Sequence, residues 1–220
     1  MLCNGVSFHT LCPILSFLRS EPTSPLLGLA FWSIVTSFSG CDTFLAAVRS
    51  LSPPQEYVLL SACDIDSRCR RAIHYVHVDQ SVAPLIHISA DSAGARVAPL
   101  SDLVYWGFPC VLFSILNRHV TRARLQSSIK LFDAAFSHII LRRPSVFLFE
   151  NVASLLCAHL RFVIDHFLYK VDSLGGYRVH LGVLCPSEYS SDMTRPRLLV
   201  LVWRPVLRCV LPKSFVVWAD

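Results

Sequence analysis

Continuous apolar runs, more than alternating ones, carry the strand signal of this chain. They cover 29–38, 57–63, 85–89, 103–106, 145–149, 177–184 and 198–203. Runs of this kind belong to strands buried on both faces, as in a parallel sheet. Helical spacing falls between them. Residues 43–49 predict a short helix, and 66–77 opens on Asp66 and carries three Arg. Residues 127–141 place apolar side chains at 129, 131, 132, 135, 136, 139 and 140, which is one helical face. Residues 152–168 are apolar on most faces and predict one largely buried helix. Proline gathers at the boundaries, where chain breaks are needed. The alternation predicts an α/β fold with a mainly parallel sheet and helices on both faces. Ligands in such sheets bind beyond the carboxyl ends of the strands. Phe38-Ser39-Gly40, Asp64, Asp91, Cys110 and Glu150 stand at or near those ends.

The 220 residues suffice for one domain with a real core. A hydrophobic share of 53% raises a membrane reading. The longest uncharged stretch, 22–41, is broken by Pro, Ser and Gly, and its apolar part, 26–38, is short for a bilayer span. No membrane association is expected. The first 18 residues lack the basic start and the cleavage site of a signal peptide. Nine Cys and nine His are scattered without a C-x-x-C pair, so no metal template is present. An odd cysteine count without a framework points to a reducing compartment, meaning nucleus, cytoplasm or an organelle interior. The net charge of +5 comes almost wholly from Arg, whose planar fork suits phosphate. That balance permits nucleic-acid binding without requiring it.

Two strand ends carry the candidate chemistry. Gly107-Phe108-Pro109-Cys110 follows the run 103–106, which places a thiol where a nucleophile would sit. Forty residues later, Phe147-Leu148-Phe149 ends in Glu150-Asn151-Val152, an acid and an amide. Together they offer a nucleophile and a proton donor.

With these motifs in this order, the chain resembles the cytosine-5 DNA methyltransferases. That family carries a G-F-P-C loop and a later E-N-V. Asp102, Leu103, Gly107, Phe108, Pro109, Cys110, Phe113 and Ser114 match its D-L-L-x-G-G-F-P-C-Q-x-F-S pattern, while Trp106 and Val111 depart. Phe38, Ser39, Gly40 and Phe44 match F-S-G-x-G-G-F, with Asp42-Thr43 in place of the Gly pair. Tyr189, Arg195 and Arg197 fall in register with Y-G-V-P-Q-x-R-x-R, with Met193 where Gln is usual. The resemblance spans about residues 30 to 204.

It implies an S-adenosylmethionine-dependent, Rossmann-like methyltransferase domain over 29–220, after an extension at 1–28. It implies that Cys110 adds to carbon 6 of cytosine and that Glu150 serves ring nitrogen 3. Asn151 would fix its loop, and Arg195 and Arg197, on alternate positions of a strand start, would grip base or phosphate. S-adenosylmethionine would lie against Phe38, Ser39, Gly40, Asp64, Ile65, Asp91 and Pro109, with Asp64 on the ribose. DNA is the implied partner, with RNA as the alternative. RNA enzymes of this lineage more often carry Pro-Pro-Cys, so Phe108 leans toward DNA. Past Arg204 the sequence leaves no room for a target-recognition domain, so the expectation is that another chain supplies recognition, that specificity is minimal, or that activity is lost. A relative without activity, binding nucleic acid or protein, is the second expectation, favoured by Asp42-Thr43 and Met193.

Overall fold

The computed structural model describes residues 11–12, 15, 32–38, 40, 43–51, 57–77, 84–87, 98–110, 113, 122–185, 187 and 195–204. Seven strands form one sheet: β1 (Trp32–Ser37), β2 (Tyr57–Cys63), β3 (Leu85–His87), β4 (Leu103–Gly107), β5 (Val146–Val152), β6 (Arg178–Leu184) and β7 (Arg197–Trp203). Their order is β3-β2-β1-β4-β5-β7-β6. Strands β1 to β5 pair in parallel, and β7 runs antiparallel to both β5 and β6. The order turns back between β1 and β4, and ligand crevices in open α/β sheets lie outside such a switch point.

The apolar runs read as predicted because the central strands are covered twice. On β4, Tyr105 belongs to one core layer, and Val104 and Trp106 to the other. Helices α1 (Thr43–Leu51) and α2 (Ser67–Val76) cover the first layer through Phe44, Leu45, Val48 and Ile73. Leu11 and Leu15 are buried in the same layer. Helices α3 (Arg122–Arg142) and α4 (Arg161–Ser173) cover the second through Phe132, Ile139, Ile164 and Phe167.

The single helix predicted over 152–168 does not form. Strand β5 continues to Val152, because Val152 pairs with Arg197 of β7. A short 3-10 turn, Ala153–Leu156, follows, and α4 starts only at Arg161. A local periodicity cannot register a partner strand that arrives 45 residues later. Helix α3 begins five residues before its predicted start and takes in Arg122 and Arg124. The predicted strand 85–89 is β3 as far as His87, and 88–90 lie outside the described residues.

Ser33 and Asp102 fix where β4 starts. The Asp102 carboxylate accepts the Ser33 N–H at 3.0 Å and the Ser33 hydroxyl at 2.5 Å. Its own N–H donates to the Ser33 carbonyl at 3.0 Å, and its carbonyl accepts from Val146 at 2.9 Å. One residue therefore aligns β1, β4 and β5 at the end opposite the strand tips that carry Cys110 and Glu150. Asp102→Ala should destabilise the fold by about 1–3 kcal/mol, since two Ser33 donors lose their acceptor. Urea denaturation at neutral pH measures this.

Candidate active site

Gly107, the last residue of β4, stands opposite Glu150 on β5. Cys110 is three residues beyond, so its Cα lies within about 11 Å of that of Gly107. The loop leaves the sheet under tight constraint. A Cβ on Gly107 would meet the Phe38 carbonyl oxygen at 3.3 Å, which leaves little room for a larger residue. Phe108 is buried and stacks on Phe132 with ring centroids 4.6 Å apart. Phe38, Trp106 and Phe149 close around the same ring at 5.0 to 5.3 Å. Pro109 and Cys110 then emerge half-exposed. The Cys110 carbonyl accepts the Phe113 N–H at 3.0 Å, and Ser154 Oγ donates to the Phe113 carbonyl at 2.5 Å. Ser154 thus ties the loop after the thiol to the turn after the acid. Sequence reasoning missed it, although it lies four residues past Glu150.

Strand β7 supplies the charge next to the acid. Arg197 stands opposite Val152, and residues two apart share a face of the sheet, so it meets Glu150 diagonally. Arg197 Nε lies 3.0 Å from Glu150 Oε1, with both side chains buried. Burial pushes the Glu150 carboxyl up to about 7, against the opposing pull of the Arg197 charge. Desolvation outweighs pairing here, as it does for many buried ion pairs. Asn151 is fully buried; its Oδ1 accepts the Val152 N–H at 2.8 Å. Its Nδ2 has no hydrogen-bond partner among the described residues. The shared strand face expected for the two Arg does not extend to both. Arg197 opens β7 and points at an acid, whereas Arg195 precedes the strand and is exposed.

The turns after β1 and β2 meet. Asp64 is buried, and its carboxylate accepts the N–H of Gly40 and of Asp66, both at 2.8 Å. Gly40 adopts φ 57°, a left-handed conformation that suits Gly. Phe38 also has a positive φ, 55°, and its ring packs edge-on to Trp106 at 5.6 Å. That packing offsets the strain of a non-Gly residue there. Ile65 is 82% exposed beside Asp64, an apolar surface next to a carboxylate. Asp66 caps α2 through the Arg68 N–H at 2.8 Å. Ser39 and Asp91 lie outside the described residues, as do Asp42, Tyr189 and Met193. The described site residues therefore fall in two adjoining groups. Cys110, Glu150, Asn151 and Arg197 gather at the β4–β5–β7 tips, and Phe38, Gly40, Asp64 and Ile65 at the β1–β2 tips. Phe38 bridges them through Phe108. Among the described residues no three His, Cys, Asp or Glu side chains gather as a metal site. Nor is any helix among them long and apolar enough to cross a membrane.

Residues 38–211 match the family model for C-5 cytosine-specific DNA methylase. No curated protein matches the chain. Among solved structures, an E. coli prophage-encoded protein described as a DNA modification methyltransferase is similar at TM-score 0.59 and 18% identity, over 83% of this chain and 49% of that one. A DNMT2 mutant from Spodoptera frugiperda is similar at TM-score 0.59 and 16% identity, over 84% and 56%. The S. pombe Dnmt2 methyltransferase is similar at TM-score 0.54 and 14% identity, over 79% and 49%. At these identities the likeness shows the fold. The chain spans about half the length of these solved relatives.

The raised Glu150 carboxyl carries a stability signature. The folded state binds a proton more tightly than an unfolded Glu does, so its stabilising contribution is complete below pH 4.5. That contribution is lost as pH rises through about 7. Glu150→Gln should flatten this part of the stability profile. Denaturation midpoints of both proteins at several pH values across that window measure the difference. Parallel profiles would show that Glu150 titrates normally.

Proposed function

Because the chain belongs to the C-5 cytosine-specific DNA methylase family, we propose that it transfers a methyl group from S-adenosylmethionine to carbon 5 of cytosine in DNA. The observation that carries this reading is the pairing of Gly107 with Glu150, which delivers a half-exposed thiol and a buried acid to neighbouring strand ends. The Cys110 thiolate adds to carbon 6 of the ring, forming an S–C bond and moving an electron pair toward carbon 5. Thiolates suit this step because they are strong nucleophiles near neutral pH. Glu150 stabilises the adduct by donating a proton or hydrogen bond to ring nitrogen 3. With a carboxyl pushed up to about 7, the protonated form is available under ordinary conditions. Arg197 holds the carboxyl in place through Oε1. Carbon 5 would then take the methyl group, the sulfonium of S-adenosylmethionine leaving as a neutral thioether; removal of the carbon-5 proton by a base and cleavage of the S–C bond restore the ring and free the thiolate.

The groups at the β1–β2 tips fit the cofactor. Asp64 keeps lone pairs for ribose hydroxyls beyond the two backbone donors it already accepts. Exposed Ile65 offers an apolar face for the adenine, and Phe38 and Gly40 form the adjoining wall. S-adenosylmethionine would supply the electrophilic methyl group there. Arg195, exposed at the rim, suits a phosphate of the bound strand.

Labelled-methyl transfer from S-adenosylmethionine, assayed on DNA and RNA in parallel, tests the proposal. Wild-type protein should label DNA, and Cys110→Ser should fall to background. Duplex DNA carrying 5-fluorocytosine should trap a covalent adduct through Cys110, because fluorine cannot leave as a proton does. Label on RNA alone would reassign the substrate, and absence of any adduct would remove the catalytic reading.

A further inference from the structure

The opposite end of the sheet carries a charge arrangement that the proposed reaction does not use. Arg143 precedes β5, Arg178 opens β6, and Arg204 follows β7. Register brings them together: Val146 pairs with Trp203, and Trp203 pairs with Arg178. Tyr177 sits among them, its hydroxyl donating to the Pro144 carbonyl at 2.9 Å. The Arg143 guanidinium lies 5.9 Å over the Tyr177 ring. Arg204 is fastened to Ser145, by its backbone N–H at 3.1 Å and its Nη2 at 3.4 Å. Among the described residues, none of these three Arg has a carboxylate partner. Other charges at this end are Arg142, closing α3, and Lys170 and Asp172 near the end of α4; Lys170 is bonded to Asp133.

Arg143 is also badly placed for stability alone. It follows the last residue of α3, donates its N–H to the Ile139 carbonyl at 2.9 Å, and has φ 47°. That is the helix-ending position where Gly is strongly favoured. A non-Gly residue is strained there, because its Cβ crowds the following carbonyl. The backbone calls for Gly, so the side chain is what distinguishes Arg at this position.

We infer that this end of the sheet is a second nucleic-acid contact, which holds the phosphodiester backbone of duplex DNA through Arg143, Arg178 and Arg204. Three planar guanidinium forks, without acid partners among the described residues and interleaved with a Tyr, match phosphate chemistry. A seven-residue strand spans about 20 Å, or about six phosphates along one strand of duplex. A duplex whose target base enters the cleft, passing along the β7–β6 side, reaches these Arg about half a helical turn away. The choice of DNA rests on the proposed function; the basic surface does not.

The test uses the full chain with Arg143→Gly, Arg178→Gln, or both, and follows binding to a duplex several turns long by fluorescence anisotropy across a salt series. Each substitution should lower the slope of log affinity against log salt by about 1, since each removes about one released counterion. Arg143→Gly should be at least as heat-stable as wild type, because the left-handed residue becomes Gly. Adduct formation at Cys110 with saturating 5-fluorocytosine duplex should persist. Unchanged slopes overturn the inference, as does a loss confined to single-stranded RNA or to poly-glutamate as the competing probe. A loss of affinity accompanied by a lower melting temperature in Arg143→Gly also overturns it, because it marks a structural role. If slopes change while the wild-type chain forms no adduct, the catalytic reading fails and the second contact stands.

Discussion

Arg197 meets Glu150 only because β7 runs against β5. In that pairing Arg197 faces Val152, one diagonal step from the acid, and the two buried charges close at 3.0 Å. The rest of the site depends on how this contact divides its energy. Full burial penalises the carboxylate more than the guanidinium rewards it, so the acid holds its proton up to about 7. A surface Glu in the same sequence would be ionised and could not donate. The partner charge opposes the shift and holds the carboxyl in place.

Beneath this pair lies an aromatic layer that anchors the loop carrying the thiol. Phe108 is in ring contact with Phe38, Trp106, Phe132 and Phe149, and Phe132 also meets Phe113 on the far side of Cys110. Aromatic contacts of this kind add about 0.5–1.5 kcal/mol each beyond their buried area. The residues on either side of Cys110 are thus held by the core while the thiol itself stays accessible. Trp106, which departs from the family pattern, takes part in this layer: it lies 5.6 Å from Phe38 and 5.9 Å from His138. The left-handed Phe38 is positioned by it, which couples the nucleophile loop to the turn that carries Gly40.

Much of this was legible in the residues alone. The buried runs at 57–63 and 198–203 became β2 and most of β7, and alternation with helices forecast the parallel sheet. The helix expected over 66–77 forms as α2, with Asp66 as its cap. The thiol and the acid were legible as paired strand ends. The segment after β5 was not, because an apolar stretch reads alike as helix or as buried strand when its neighbour is unknown. Nor was the different fate of Arg195 and Arg197, since alternation assumes both lie within the strand.

Composition and local pattern determined which residues could be strand, helix or turn, and which side chains could attack or donate a proton. Those properties depend on covalent chemistry and on neighbours a few residues away. Tertiary structure decided the strand order, the reversal of β7, the tie between Ser154 and Phe113, and the gathering of Arg143, Arg178 and Arg204 at one end. It also decided the acidity of Glu150. Each of these depends on what lies across the sheet from a residue and on how much water remains there, and neither quantity is written along the chain.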